Sequence, residues 1–144
     1  MIELKPMTTL TEEAAKQKRS LNLAFIGDAY FSLRIKEHFI MEQFETKTEN
    51  LHKESAKIIK AEFQAKIFRF ILDKLTENEK EVAARAKNQT SNNIAKNATR
   101  TDYKIATAFE AVVGFNFLTG NEKRLEQIVK WAIEVKKEMD REQK

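Results

Sequence analysis

The sequence predicts an all-α protein of five to seven helices, on three observations. Glycine (3) and proline (1) are scarce in 144 residues, so few tight turns can be built. Charged residues make up 33 % of the chain, which suits solvated helix faces. Apolar residues recur at spacings of three and four over long stretches. The length suits a single domain, placed at residues 21–139 behind an N-terminal arm at 1–20.

The arm is polar and holds the lone proline, Pro6. Thr11 followed by Glu12 and Glu13 predicts a short capped helix there, or a frayed segment. Residues 21–40 are apolar nearly all round, so the pattern predicts a helix central to a core or an interface. Thr46 and Glu49 form a capping box opening one long helix to about Leu75, with Leu51, Ile58, Ile59, Phe63, Ile67, Phe70 and Ile71 on its apolar side. Thr76 and Glu79 form a second capping box, opening a short helix that ends near Lys87. Residues 88–100 are rich in Asn, Thr and Ser and read as loop. Thr101 or Asp102 caps the next helix, which stops near Gly120. Asn121 then caps a last amphipathic helix, with Leu125, Ile128, Val129, Ala132 and Ile133 inward.

Composition excludes several function classes. Without cysteine there is no disulfide scaffold, thiol nucleophile or Cys-ligated zinc, and a reducing cytoplasm is the expected compartment. No apolar run reaches the length of a membrane span, and the N-terminus lacks the apolar core of a secretory signal. Three glycines argue against glycine-built phosphate loops. A formal charge of +4 permits a polyanionic partner without demanding one.

Two acids stand out. Asp28 lies in LAFIGDAYFSL and Glu110 in IATAFEAVVGFNF, each the only ionisable group of its stretch. Neither has a Lys or Arg one turn away, and burying a lone carboxylate costs several kcal/mol unless it is paired, hydrogen-bonded or bound to a metal. Small residues flank both: Ala24, Gly27 and Ser32 near Asp28, and Ala106, Thr107 and Gly114 near Glu110. That reads as room for something bulky, and two such faces opposed would make a carboxylate-lined pocket. Oxygen ligands without cysteine and with only two histidines suit Mg²⁺, with Mn²⁺ as substitute. The competing reading makes Asp28 a local irregularity and pairs Glu110 with a base from another helix. His38 and His52 are assigned no catalytic role.

At these residues a resemblance enters. LNLAFIGDAYFSL resembles the aspartate-bearing signature of the ribonuclease III family, and ATAFEAVVGFNFL resembles its glutamate-bearing segment. LHKESAKIIKAEFQAKI, ARAKNQT, AKNATRTDYKIATAFEA and NEKRLEQIV extend the likeness to the Mini-ribonuclease III branch, over residues 21 to about 133. The resemblance implies the ribonuclease III endonuclease-domain helical fold and a homodimer cutting double-stranded RNA with Mg²⁺. It implies 5′-phosphate and 3′-hydroxyl products, and a task in maturing the ends of 23S ribosomal RNA precursor. It makes Asp28 the catalytic aspartate and Glu110 the metal-binding glutamate. Further acids of full-length relatives fall here on Leu21, Ala24 and Thr107, which thins the acidic shell to two and puts a second metal in doubt. No double-stranded-RNA-binding domain is expected, so grip on RNA falls to this domain or to a helper such as a ribosomal protein. A helical RNA-binding dimer without chemistry is the alternative.

For RNA contact, the segment from Val82 to Thr101 carries Arg85, Lys87, Lys96 and Arg100 with no acid. The interleaved asparagines, Asn88 and Asn97 among them, suit phosphate and sugar contacts. A merely solvated loop is the competing reading. The apolarity of residues 21–40 and the ten phenylalanines exceed what one small core requires, which an isologous dimer would explain.

Overall fold

The first two described residues, Thr9 and Leu10, lead into a short helix, α1 (Glu12–Lys16). Then follow α2 (Ser20–Glu42), α3 (Thr48–Ile59), α4 (Ala61–Ile71), a 3-10 turn (Leu72–Lys74), α5 (Glu77–Asn88), α6 (Arg100–Leu118) and α7 (Glu122–Glu142). This structure is a computed structural model describing residues 9–42, 47–89 and 99–143. There is no strand among the described residues, and the expected all-α class holds. No helix among them is long and apolar enough to cross a membrane.

The helix at the centre is α6, not α2. Every α6 residue from Ile105 to Phe109 and from Ala111 to Asn116 is buried, and α2, α4, α5 and α7 pack around it. Two apolar clusters result: a large one where α2, α4, α6 and α7 meet around Phe31, Ile67, Phe109 and Ile128, and a smaller one around Leu23, Val82, Ala111 and Phe115. The N-terminal arm contributes to the second. Ala15 is fully buried, the Leu10 amide donates to the Leu118 carbonyl at 2.7 Å, and Thr11 caps α1 as its sequence implies.

The long helix expected to about Leu75 is two helices. Lys60 adopts an extended conformation; its amide closes α3 on the Ala56 carbonyl while its own carbonyl accepts from Phe63 and Gln64 to open α4. The break lets α3 pack on α2 while α4 turns toward α6 and α7, which one straight rod could not do. Thr46 lies outside the described residues, and α3 begins after Lys47 with no side-chain cap. The start of α6 also differs: Thr99 is the N-cap, its hydroxyl accepting from the Asp102 amide.

The Thr76–Glu79 capping box forms as expected, but Glu79 does more than cap. It is 1 % exposed and receives Arg124 through two nitrogens at 2.7 and 3.0 Å, Asn116 at 2.8 Å and the Thr76 amide at 2.8 Å. Burial pushes its carboxyl up, but Arg124, the Thr76 amide and Asn116 together hold it below the usual carboxylate range. This satisfied charge ties α5, α6 and α7 together. Gly120 follows α6 at φ 67°, a conformation that suits a residue without a side chain, and Asn121 precedes α7 with its amide turned to Asn116.

Candidate active site

The site is built where α2 crosses α6. At the crossing two glycines face backbone: a methyl group on Gly27 would fall on the Glu110 carbonyl oxygen, and one on Gly114 would fall on the Leu23 carbonyl oxygen. Each helix therefore lies directly against the other's main chain, an approach that only glycine permits. The expectation that small residues leave room for a ligand is corrected at these two positions. Gly27 and Gly114 are filled by helix-to-helix contact, and the close crossing is what brings Asp28 and Glu110 together.

The two carboxyl groups come within hydrogen-bonding reach of each other. Glu110 is half-buried; burial first, and then the neighbouring Asp28 carboxylate, push its carboxyl up to about 9. Asp28 itself is exposed, contrary to its apolar surroundings in sequence, because α2 turns that side outward. Neither acid joins an ion pair with Lys or Arg among the described residues, so the reading that Glu110 is neutralised by a base of another helix finds no partner there.

A third polar group enters from α4. Gln64 is 2 % exposed and lies beside Glu110, drawing its carboxyl modestly down against the larger effects. Its Nε2 nonetheless completes no hydrogen bond of good geometry. Sequence reasoning passed over Gln64; the signal was an amide one position from Phe63 on a helix whose neighbours point inward.

The remaining positions fall as follows. Leu21 is exposed, Ala24 is packed in the smaller core, and the Thr107 hydroxyl donates to the Tyr103 carbonyl of its own helix at 2.9 Å. None of the three adds an acid, and no cluster of three His, Cys, Asp or Glu exists among the described residues. Arg85 is committed to the fold, donating to Ser20 Oγ at 2.8 Å and to the Lys18 carbonyl at 3.3 Å. Lys87, Asn88 and Arg100 are exposed and bracket the segment 90–98, so helix reaches further into residues 88–100 than expected. Lys96 and Asn97 lie outside the described residues. His38 packs edge-on against Phe39, and His52 is exposed on α3.

The donor set fits a hard divalent cation. Two carboxylates converge, no basic side chain competes for them among the described residues, and a buried amide beside them has an unused donor.

Residues 21–121, the span holding both acids and Gln64, match the family described as Ribonuclease III domain. A solved structure of a Fusobacterium nucleatum protein superposes with a TM-score of 0.76 at 31 % identity, covering 83 % of this chain and 95 % of that one. Among curated proteins, the Mini-ribonuclease 3 of Clostridium tetani is 38 % identical over 89 % of this chain and 85 % of its own length. That of Streptococcus pneumoniae is 41 % identical over 78 % and 88 %. The chain belongs to the Mini-ribonuclease III family and is an endoribonuclease of double-stranded RNA.

Proposed function

We propose that this endoribonuclease uses Mg²⁺, held by Asp28 and Glu110, to cut double-stranded RNA as a cytoplasmic homodimer, and that it matures the ends of 23S ribosomal RNA precursor. The observation that carries the reading is the meeting of Asp28 and Glu110 across the α2–α6 crossing, without a basic partner among the described residues. A cation there would lower the pKa of an attacking water and offset charge on the scissile phosphate. Water adds to phosphorus, the bond to the 3′ oxygen breaks, and a 5′-phosphate and a 3′-hydroxyl remain. Asp28, being exposed, is the carboxylate that meets substrate; Glu110, half-buried, holds the deeper position.

The test is cleavage of duplex RNA with Mg²⁺, with EDTA, and with Asp28→Asn. Cutting that needs both the metal and Asp28 supports the proposal. RNA retention without cutting under any divalent cation would reduce the site to a binding one.

The dimer rests on α2. Leu21, Phe25, Leu33 and Ile40 are 42, 79, 64 and 62 % exposed, and their spacing puts them on one side of the helix, with Asp28 at its edge. An apolar stripe of this kind is what a second copy of α2 would cover in an isologous contact, setting one site on each strand of a duplex. Phe25→Glu is expected to give a monomer by sedimentation with its helicity intact; a dimer surviving that change would place the contact elsewhere.

For RNA, Lys87 and Arg100 flank the segment 90–98 on the exposed surface. Replacing both with alanine is expected to weaken duplex binding and to reduce the slope of log affinity against log salt by roughly two. An unchanged slope would remove them from the RNA contact.

A further inference from the structure

We infer that Gln64 is a positioning residue of the cation site, donating from its side-chain amide to the Glu110 carboxylate once a divalent cation has drawn that carboxylate into place. The inference rests on the proposed cation reading of Asp28 and Glu110, and it concerns a residue outside the acidic pair. Three observations carry it. Gln64 is 2 % exposed, so its amide cannot turn to bulk water. Its Nε2 is the only buried side-chain nitrogen or oxygen without a hydrogen-bond partner among the described residues. It lies beside Glu110, on a helix that contributes no acid to the pair.

An orphaned buried donor is costly, on the order of 1–3 kcal/mol, and native proteins keep few of them. Elsewhere in this fold buried polar groups are fully served: Glu79 receives four donors, and Ser55 donates to the Leu51 carbonyl at 2.7 Å. The exception faces the one site where two carboxylates meet. A carboxylate has more acceptor positions than a cation uses, and an amide donor on the remaining oxygen fixes which oxygen the cation receives. With Leu21, Ala24 and Thr107 supplying no acid, orientation of Glu110 falls to this amide.

The test is a binding isotherm for Mn²⁺ alone, followed by the electron paramagnetic resonance of the free ion, on the wild type, Gln64→Met and Gln64→Leu. Thermal melts in EDTA accompany each. Weakening of Mn²⁺ affinity by about tenfold in both variants, with EDTA melting temperatures unchanged or higher, is the expected result. Mn²⁺ affinity equal to wild type would overturn the inference while leaving the carboxylate pair intact. Lower melting temperatures with unchanged affinity would make Gln64 a packing residue, also overturning it. A wild type that binds no Mn²⁺ would fail at the underlying reading, and the inference would fall with it.

Discussion

Glu110→Gln is expected to abolish cleavage of duplex RNA and at the same time to raise the melting temperature of the metal-free protein above neutral pH. The two effects have one cause. In the folded chain burial and the Asp28 carboxylate push the Glu110 carboxyl from 4.5 up to about 9, whereas in the unfolded chain it returns to its ordinary value. Between these limits the folded state holds a proton that the unfolded state has released. Stability therefore falls as pH rises through that window. Glutamine keeps the shape and never ionises, so the slope flattens. If only one pH unit of the separation survives exposure to solvent, it is worth about 1.4 kcal/mol, roughly 5 °C at this chain length. Activity moves the other way: losing one carboxylate from a two-carboxylate site should cost about 10²–10³-fold or more. Melts at pH 5, 7 and 9 in EDTA, with cleavage assays on the same samples, read both. Parallel melting curves for variant and wild type would mean that Glu110 carries no strained charge.

That pair was legible in the sequence because carboxylates in apolar helical stretches without local bases demand an explanation. Their burial was not. Residues 21–40 look like a core helix, yet Phe25 and Leu33 are largely exposed and Asp28 rides on the same open side. Apolar periodicity reports that a face avoids water without saying whether this chain or another covers it. The break at Lys60 left no mark because a lysine in an extended conformation needs neither Gly nor Pro; packing against two different neighbours decides it. The role of Glu79 was half visible. Its capping box is local and readable, while Arg124 and Asn116 are brought to it by the tertiary fold.

Gly27→Ala is the largest structural effect expected, and its sign separates two accounts of the small residues around the acids. If Gly27 merely left space in a pocket, alanine would stabilise α2 by about 1 kcal/mol through helix propensity. The structure instead sets the Gly27 position against the Glu110 carbonyl oxygen and within 2.7 Å of the Gly114 amide nitrogen, measured from where a methyl would stand. Both are main-chain atoms of a central buried helix, so no side chain can swing aside, and α2 must withdraw from α6. Overpacking of this kind costs about 3 kcal/mol, which lowers the melting temperature by roughly 10 °C despite the gain in propensity. Withdrawal also parts Asp28 from Glu110, so the surviving folded protein should bind Mn²⁺ more weakly and cut more slowly, even though both carboxylates remain. Gly114→Ala meets the Leu23 carbonyl in the same way and should reproduce the pattern from the other helix. A Gly27→Ala protein as stable as wild type would show that the two helices do not depend on this backbone contact, and the geometry that pairs the acids would need another source.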